Sequence, residues 1–468
     1  MPEARINLRY VIGISAISAL GGFLFGYDWV VIGGAKPFYE RFFGIAGDPG
    51  MQGLMMSSAL IGCIPGALLS GWLSDRFGRK SSLLVAAFLF TVSALGTGLS
   101  DSLSIFLTFR ILGGAGIGIA SAISPMYIAE VAPARMRGGL VSLNQLNIVL
   151  GILAAQIINY LIAREVPPDA TDLFIRESWN GQMGWRWMFW AETVPAGLFF
   201  LLVFAIPESP RWLAKVSKWD RARDILARIG GEVYAMKSGE EIAASLRNAA
   251  GRVDFRALRS RQVRPVLLIG IILAVFQQWC GINVVFNYAE EVFSAAGYGV
   301  TDILFNIVIT GATNLVFTFV AIRTVDRFGR KKLMLIGAGG LSLVYLVLGG
   351  SYYLHAGGIP IVSIIVLGIA VYAMSLAPVT WVVLSEIFPN RVRGAAMAVA
   401  TTSLWIASSI LVLTFPYLNH SLHTHGTFWL YSAVCLAGFL FILYRLPETR
   451  GKTLEEIEGQ LTGKNLSP

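Results

Sequence analysis

Long apolar stretches separated by short polar connections dominate the chain, and this pattern predicts its architecture. An α-helix needs about 20 predominantly apolar residues to cross about 30 Å of hydrocarbon. Stretches of that length occur at 9–33, 52–73, 81–100, 103–129, 139–163, 186–206, 265–293, 302–323, 333–354, 359–384, 395–417 and 427–446. We therefore predict an all-α membrane protein with twelve transmembrane helices, and we number these predicted spans 1 to 12.

Three polar landmarks occur twice, once in each half of the chain. They are the runs 75–80 and 326–331 (Asp-Arg-Phe-Gly-Arg-Lys), 130–138 and 386–394 (a Glu followed seven residues later by Arg-Gly), and 207–209 and 447–449 (Pro-Glu-Ser or Pro-Glu-Thr). Internal repeats of this kind are typical of secondary transporters, whose solute site lies between the repeats. The repeat predicts two six-helix bundles.

The repeat also predicts the domain boundaries. An N-terminal bundle covers 1–206, a C-terminal bundle covers 265–446, and a cytoplasmic tail covers 447–468. Between the bundles, 207–264 is the only long polar stretch, and its apolar periodicity predicts short amphipathic helices. This linker is either a connector on the cytoplasmic face or a regulatory module, and the sequence leaves both open.

Composition and charge support the membrane assignment. The 468 residues are 55% hydrophobic and only 14% charged, which is unlike a soluble protein of this size. The net charge of +9 could suggest a nucleic-acid partner. However, with these spans about 31 of the 37 Lys and Arg lie on the side that holds both termini. This positive-inside bias predicts cytoplasmic termini, and no basic stripe with interleaved aromatics indicates nucleic acid.

The cysteines and histidines do not predict a metal or cofactor site. Cys63, Cys280 and Cys435 all lie in predicted spans without a CxxC partner, so we interpret them as small buried hydrophobic residues. His420, His423 and His425 cluster before span 12, but no Cys or acid accompanies them. We interpret this segment as a solvated external loop. No catalytic constellation predicts an enzyme.

Three ionisable residues lie well within apolar runs, and all are in the first half. They are Asp28, Arg110 and Glu192. A charged side chain inside a membrane is costly and is usually functional, which indicates movement of a proton or a polar solute. The alternative is a structural ion pair that joins two helices.

A set of ordered motifs carries a resemblance over nearly the whole chain. The motifs are Gly-Tyr-Asp at 26–28, Gly-Trp-Leu-Ser-Asp-Arg-Phe-Gly-Arg at 71–79, Arg-Ile-Leu-Gly-Gly at 110–114, Pro-Met-Tyr-Ile-Ala-Glu at 125–130, Pro-Glu-Ser-Pro-Arg-Trp at 207–212, Gln-Gln at 277–278, Gly-Ile-Asn at 281–283, Ser-Glu-Ile-Phe-Pro at 385–389 and Pro-Glu-Thr-Arg-Gly at 447–451. Together they resemble the sugar porter family of the major facilitator superfamily, close to its bacterial xylose-type sugar–proton symporters.

The resemblance implies proton-coupled symport of a monosaccharide by alternating access, in the cell inner membrane, by a monomer whose partners are the sugar, the proton and the bilayer. Asp28 and Arg110 match the family's coupling pair, and Glu192 matches a further acid. Facilitators in the family commonly have Asn at the position of Asp28. An uncoupled facilitator, a cyclitol or polyol symporter and, more distantly, a membrane sugar sensor are the alternatives.

The solute site is predicted on span 7. Sugars need amide hydrogen bonds and an aromatic face, and span 7 carries Gln277, Gln278, Asn283, Asn287 and Tyr288. In a regular helix, Gln277 and Tyr288 share one face, and Asn283 and Asn287 share a neighbouring face. Gln278 lies on neither face unless the helix breaks at Gly281. The resemblance adds Gln145, Asn314, Trp381 and Trp405. Alternatively, the amides serve only as interhelical hydrogen bonds.

Four positions depart from the family's pocket pattern. Ile152 and Leu404 stand where amides are expected, Asn287 where Tyr is expected, and Leu376 where Trp is expected. The resemblance therefore implies weak xylose transport and a preference for a hexose or a cyclitol.

The repeated polar landmarks predict charge networks at helix ends, which the resemblance implies act as a cytoplasmic latch. The latch residues are Asp75, Arg79, Glu130, Arg137, Glu208, Asp326, Arg330, Glu386, Arg393 and Glu448. The alternative is that these charges are solvated and serve topology alone.

Overall fold

The computed structural model describes residues 6–167, 170–248, 258, 260–261, 263–389 and 392–450, without the side chains of Arg247, Asn248 and Asp326. Within this part of the chain the regular structure is helical, and no strand occurs. The α-helices are α1 (Leu8–Phe43), α2 (Pro49–Phe77), α3 (Arg79–Gly98), α4 (Leu103–Val131), α5 (Arg137–Ile162), α6 (Asp172–Glu177), α7 (Trp185–Val203), α8 (Pro210–Lys215), α9 (Trp219–Asn248), α10 (Val263–Trp279), α11 (Ile282–Asn287), α12 (Ala289–Ser294), α13 (Val300–Phe328), α14 (Arg330–Tyr353), α15 (Ile359–Ala373), α16 (Leu376–Ile387) and α17 (Arg393–Arg445). A π-helical turn at Asn180–Gly184 precedes α7.

The predicted spans all have helical counterparts in the described chain. Ten helices there are long and apolar enough to cross a membrane, with α10–α11 and α15–α16 each counted as one. The 53-residue α17 contains predicted spans 11 and 12, which meet at a non-helical break at His423. Span 6 corresponds to α7, whose Arg186 and Glu192 lower its mean hydropathy and leave it outside those ten.

Two boundaries predicted from the sequence differ from the helix bounds. Span 1 is predicted to end at residue 33, yet α1 continues through Lys36 and Pro37 to Phe43. A loop is predicted at His420–His425, and the structure has a non-helical break there at His423 alone, with helix on both sides of it. Ion pairs satisfy the charge of Lys36 within the helix. No glycine or proline lies between His420 and His425 to end α17.

The described residues belong to two compact units. The first draws on Met1–Trp29, Gly62–Ile152 and Phe189–Arg252, and the second on Val30–Ile61, Leu153–Met188 and Val253–Pro468. Each unit combines segments that are separate in the sequence. The four continuous domains predicted from the sequence are therefore not tested by this division and stay a prediction.

The linker helices α8 and α9 belong to the first unit and pack within it through an apolar face. Ile225 and Ile229 of α9 and Trp212 of α8 join a buried cluster with Val11 of α1 and Ile128 of α4. The predicted amphipathic helix therefore exists and buries its apolar side. Gly230 and Gly231 have non-helical backbone angles and form a break within α9.

In the second unit, α14 packs closely along α17. Tyr352 stacks on Phe428 with ring centroids 5.8 Å apart. Ser432 Oγ donates to the carbonyl of Ser342 at 2.7 Å. Such hydroxyl-to-carbonyl bonds join apolar helices where no water is available to their polar groups.

Candidate functional site

The break predicted in span 7 is present at Gly281. The helix α10 ends at Trp279, and α11 begins at Ile282 after Gly281, whose φ of 84° is in the left-handed region. Glycine adopts this conformation without the steric penalty that a Cβ brings. A Cβ built on Gly281 would also lie 2.7 Å from Cγ of Tyr431, so both the backbone and the packing require glycine.

Across this break, buried amides form a relay. Nδ2 of Asn283 donates to Oε1 of Gln278 at 2.5 Å, and Nε2 of Gln278 donates to Oε1 of Gln277. Nε2 of Gln277 then donates to the hydroxyl of Tyr372 on α15 at 2.7 Å. The three amide side chains are all buried. In a regular helix, Gln278 would not share a face with the other amides. With the break at Gly281, it bonds to both Gln277 and Asn283.

The segment after the relay presents an aromatic ring and a further amide. The hydroxyl of Tyr288 donates to the carbonyl of Val412 at 2.6 Å, and its ring centroid is 4.5 Å from that of Phe415. Asn287 is 3% exposed, and its Nδ2 has no hydrogen-bond partner among the described residues. A buried amide donor without a partner is costly unless a ligand or water satisfies it.

The remaining predicted solute residues lie on four other helices. Asn314 is buried in α13 and Trp405 is buried in α17, while Trp381 is half-buried in α16. Gln145 is half-buried in α5 and belongs to the first unit, whereas the relay belongs to the second. Their assignment to a solute site stays a prediction.

Asp28 and Arg110 meet inside the first unit. Nη1 of Arg110 donates to Oδ1 of Asp28, and Nη2 donates to the carbonyl of Asp28 at 3.1 Å. Both residues are 1% exposed, and the guanidinium lies 5.4 Å from the ring centroid of Phe189. Oδ2 of Asp28 has no hydrogen-bond partner within the described chain. The carboxylate therefore depends on one cation, whose displacement would leave an uncompensated buried charge.

Glu192 is the second acid of this region, and it is 2% exposed on α7. Its Oε1 also has no hydrogen-bond partner among the residues that the structure describes. The interior of the first unit thus holds two carboxyls, that of Asp28, which is paired with Arg110, and that of Glu192, which is incompletely hydrogen-bonded. Their roles in coupling stay predictions.

The first repeated landmark forms a compact charge network at the start of α3. Nε and Nη2 of Arg79 donate to the two carboxylate oxygens of Glu130, each at 2.9 Å, which is the strong bidentate arrangement. The backbone N–H of Arg79 donates to Oε1 of Glu208 at 2.8 Å, and Oγ of Ser209 donates to Oε2 of Glu130 at 2.5 Å. Asp75 lies at the edge, 3.7 Å from Nη1 of Arg79.

The second landmark repeats these residue pairings with equivalent residues. Nε and Nη2 of Arg330 lie 3.2 and 3.1 Å from Oε1 of Glu386. The backbone N–H of Arg330 donates to Oε1 of Glu448 at 3.0 Å, and Oγ1 of Thr449 donates to Oε2 of Glu386 at 2.6 Å. The sequence repeat is thus also a repeat of side-chain contacts.

In both networks, a glycine lies directly beside the carboxylate of the Pro-Glu motif. Gly78 has φ 95° and Gly329 has φ 88°, and a Cβ on them would lie 2.1 Å from Oε2 of Glu208 and 2.7 Å from Oε2 of Glu448, respectively. Burial raises the pKa of the Glu208 carboxyl, while the backbone N–H groups that donate to it oppose this rise.

Two predicted latch contacts are absent from the described networks. Arg137 is exposed at the start of α5, and the carboxylate oxygens of Glu130 already accept from Arg79 and Ser209. Arg393 donates from Nε and Nη2 to the carbonyl of Phe388, both at 3.2 Å, rather than to Glu386. The side chain of Asp326 lies outside the described residues.

The comparisons with known proteins identify the family. A family model described as "Sugar (and other) transporter" matches residues 14–461. The chain belongs to this family. The resemblance inferred from the ordered motifs is confirmed.

This sugar porter is 40% identical to the D-xylose-proton symporter of Escherichia coli (strain K12), over 97% of the chain and 96% of that relative. It is 39% identical to the arabinose-proton symporter of Bacillus subtilis (strain 168), over 97% and 95% of the two chains. The solved inward open conformation of the xylose transporter from E. coli matches with a TM-score of 0.84 at 39% identity, covering 96% of this chain and 100% of that one. The predicted major facilitator fold is therefore confirmed.

The sugar porter also holds a buried charge cluster that the sequence analysis missed, which we call the Lys36 cluster. It consists of Lys36, Glu40 and Arg41 on α1 with Glu290 and Glu291 on α12. Nζ of Lys36 lies 2.6 Å from Oε1 of Glu291, 3.0 Å from Oε2 of Glu40 and 3.3 Å from Oε2 of Glu290. Nη1 of Arg41 lies 2.8 Å from Oε1 of Glu290.

A local signal for the cluster was present in the sequence. Lys36 and Glu40 are four residues apart, which places them on one helix face. The prediction that span 1 ends at residue 33 removed them from consideration. Gln156 was missed as well. It is buried one helical turn after Ile152, and neither of its amide atoms has a partner among the described residues.

Proposed function

We propose that this protein is a secondary active transporter that carries a monosaccharide together with a proton by alternating access. The observation that carries the proposal is the buried pair of Asp28 and Arg110, within a sugar porter chain. Two relatives that align over nearly their whole length are named proton symporters, one of D-xylose and one of arabinose. Their coupling to protons is the reason to assign the same class of reaction here.

The pair supplies a physical basis for coupling. While Arg110 donates to Asp28, the carboxylate is stabilised as an anion, and burial opposes that stabilisation. A movement that separates the two side chains leaves the acid desolvated and favours its protonation. If the same movement follows solute binding, proton uptake and solute binding are thermodynamically linked, each favouring the other.

The solute is proposed to bind at the amide relay. Asn283, Gln278 and Gln277 offer donors and acceptors in a fixed order, since each amide is oriented by the next. Tyr288 supplies a ring, and the unpartnered Nδ2 of Asn287 supplies a donor. This combination suits a polyhydroxylated ring, which presents hydroxyl groups at its edge and C–H groups on its face.

We further propose that both termini are cytoplasmic and that the protein functions as a monomer in the cell inner membrane. The positive-inside distribution of Lys and Arg supports this orientation. The first and second latch networks then lie on the cytoplasmic side, and the Lys36 cluster lies near the outer end of α1.

Reconstitution with an imposed pH gradient tests the function. Proteoliposomes should concentrate the solute when the outside is acidic, and solute addition should make the external medium more alkaline. Asp28→Asn should abolish both effects but keep solute exchange, because the solute site is elsewhere. Glu177→Gln, the same change at an exposed acid on α6, is the matched control and should behave like the unaltered protein.

Two outcomes would contradict the proposal in different ways. An Asp28→Asn variant that still concentrates solute would remove Asp28 from the coupling role. An unaltered protein that equilibrates the solute but never concentrates it would identify an uncoupled facilitator.

A further inference from the structure

The Lys36 cluster is one positive charge short of neutrality. Lys36 and Arg41 supply two cations, whereas Glu40, Glu290 and Glu291 supply three carboxylates. Asp172 also pairs with Arg41, at 2.7 Å, but its side chain is 73% exposed and is solvated by water. A net charge among buried groups is unfavourable, and a proton on one carboxyl removes it.

The bonding within the cluster distinguishes its three acids. Glu290 uses one oxygen for Lys36 and the other for Arg41, so it is needed as a full carboxylate. Oε1 of Glu40 and Oε2 of Glu291 are buried and have no hydrogen-bond partner in the described part of the chain. The side chain of Glu291 is 20% exposed and that of Glu40 is 2% exposed. Glu291 is therefore the incompletely bonded carboxyl that lies nearer to solvent, and a small side-chain movement would expose it to a proton.

The cluster joins two segments from different halves of the sequence. Lys36, Glu40 and Arg41 belong to α1, and their partners Glu290 and Glu291 lie on α12, directly after Asn287 and Tyr288. Nζ of Lys36 is 5.9 Å from the ring centroid of Tyr288. The two segments also touch through their backbones, since a Cβ on Gly33 would lie 2.8 Å from the carbonyl oxygen of Phe286.

We propose that the Lys36 cluster is a proton-binding gate, in which Glu291 takes up one proton from the external medium when α1 and α12 join. The proton adds to a Glu291 carboxylate oxygen to give the neutral acid, and it returns to the same side when the segments separate. It is thus distinct from the proton assigned to Asp28. This inference rests on the proposed function only for which side is external.

The charged and polar groups around the gate come from every neighbouring element. They are Lys36, Tyr39, Glu40 and Arg41 of α1, Gln52 of α2, Asp172 of α6, Tyr288 between α11 and α12, and Glu290 and Glu291 of α12. Of the acids, Glu290 is held by two cations and Asp172 is open to water. The net negative charge therefore falls on Glu40 and Glu291.

The gate predicts opposite effects for two neutralising substitutions. Lys36→Met leaves three carboxylates beside a single cation and should favour separation of α1 from α12. Glu291→Gln removes the surplus charge without breaking the Arg41–Glu290 pair, and should favour joining. A purely structural ion pair would give loss of joining in both variants.

Spin labels on either side of the gate provide the readout. Gly47 follows α1, and a Cβ there would meet no atom within 4 Å, while Ala295 is exposed directly after α12. Gly47→Cys and Ala295→Cys are introduced after Cys63, Cys280 and Cys435 are replaced by alanine. Pulsed electron paramagnetic resonance on the full chain in nanodiscs then measures the ratio of short to long distances between pH 8 and 5.5.

The expected result is a ratio that rises as the pH falls, by at most about tenfold per pH unit, because one proton is taken up. Glu291→Gln should give a high ratio that no longer depends on pH. Lys36→Met should lower the ratio at least about tenfold, and adding Glu291→Gln to it should recover part of that loss. Glu177→Gln should match the unaltered protein.

Two results would overturn the gate. One is a ratio in the unaltered protein that does not change with pH, and the other is a shift in the same direction for Lys36→Met and Glu291→Gln. If Lys36→Met does not fold, the pH series and Glu291→Gln decide by themselves. Repeating the series with Asp28→Asn separates the two proposals, since the gate should keep its pH response even if Asp28 proves irrelevant to transport.

Discussion

Individual polar side chains in the second unit are oriented mainly by one another. The amide of Asn283 donates to Gln278, which donates to Gln277, which donates to Tyr372. In such a chain each member fixes the donor and acceptor directions of the next. If the solute binds at the relay as proposed, we expect its specificity to depend on the whole relay rather than on the side chain nearest to a given hydroxyl group.

Gln278 lies in the middle of the relay, and its removal should be more harmful than one lost solute contact. Gln278→Ala leaves the Asn283 donor and the Gln277 acceptor without partners, which costs about 1–3 kcal/mol for each buried group. We expect solute affinity to fall at least about tenfold, since 1.4 kcal/mol corresponds to a factor of ten. Equilibrium binding to the purified protein measures this loss.

The control for that prediction is Gln182→Ala, which removes an exposed amide from the π-helical turn. It should leave solute affinity unchanged. Unaltered affinity in Gln278→Ala would mean that the relay serves helix packing only, which was the alternative left open by the sequence.

At the scale of the helices, the two latch networks show how a sequence repeat becomes a structural one. Each has an arginine at the start of one span and a glutamate near the end of the following span. In each, the hydroxyl residue after a Pro-Glu motif donates a hydrogen bond to that same glutamate. The arginine that follows each glutamate by seven residues does not join. The networks therefore depend on Arg79 and Arg330 rather than on Arg137 and Arg393.

This geometry predicts unequal effects within the second network. Glu386→Gln weakens the contacts with both Arg330 and Thr449, so it should lower the thermal unfolding midpoint by a few degrees and bias the transporter toward its inward-facing state. Arg393→Gln loses only bonds to a backbone carbonyl and should have the smaller effect on both measures. Thermal unfolding in detergent and thiol labelling from the external side provide the measurements. An Arg393 variant as damaging as the Glu386 variant would show that Arg393 has a role that these contacts do not reveal.

The same comparison shows which elements could be predicted from sequence and which could not. The spans could be predicted from the length of the apolar stretches alone. The break at Gly281 could be anticipated because a regular helix cannot place Gln278 on one face with the other amides, and a glycine lies among them. The pairing of Lys36 with α12 could not be predicted, because Glu290 is 254 residues from Lys36 and only the folded chain brings them together. The hydrophobic pattern also predicted an end of span 1 that is ten residues before the end of α1. The pattern counts Lys36 and Glu40 as polar, whereas in the structure buried ion pairs compensate their charges.

For the whole molecule, we expect the substrate to depend on the positions where the sequence departs from the pocket pattern that the family resemblance implies. Ile152, Leu376 and Leu404 are all buried, at 3%, 0% and 2% exposed, so they are interior side chains and not surface replacements. Where the resemblance implies two amides and a Trp, this chain has apolar side chains. Gln156 places a buried amide one turn further along α5 than Ile152. The polar groups are thus redistributed rather than simply lost.

We expect this redistribution to disfavour xylose, which is a pentose, and to favour a hexose or a cyclitol. Two lost hydrogen bonds, at about 0.5–1.5 kcal/mol each, would weaken xylose binding by a factor between roughly 5 and 150. Counterflow in proteoliposomes with a panel of aldoses, ketoses and cyclitols should rank xylose low. Ile152→Gln combined with Leu404→Gln should raise xylose transport, because it restores both amides. Leu150→Gln, which adds an amide at a position that is 36% exposed on the same helix as Ile152, should not. Efficient xylose counterflow by the unaltered protein would show that contacts cannot be transferred position by position from the family, and that the amide relay with Gln156 is sufficient to bind a pentose.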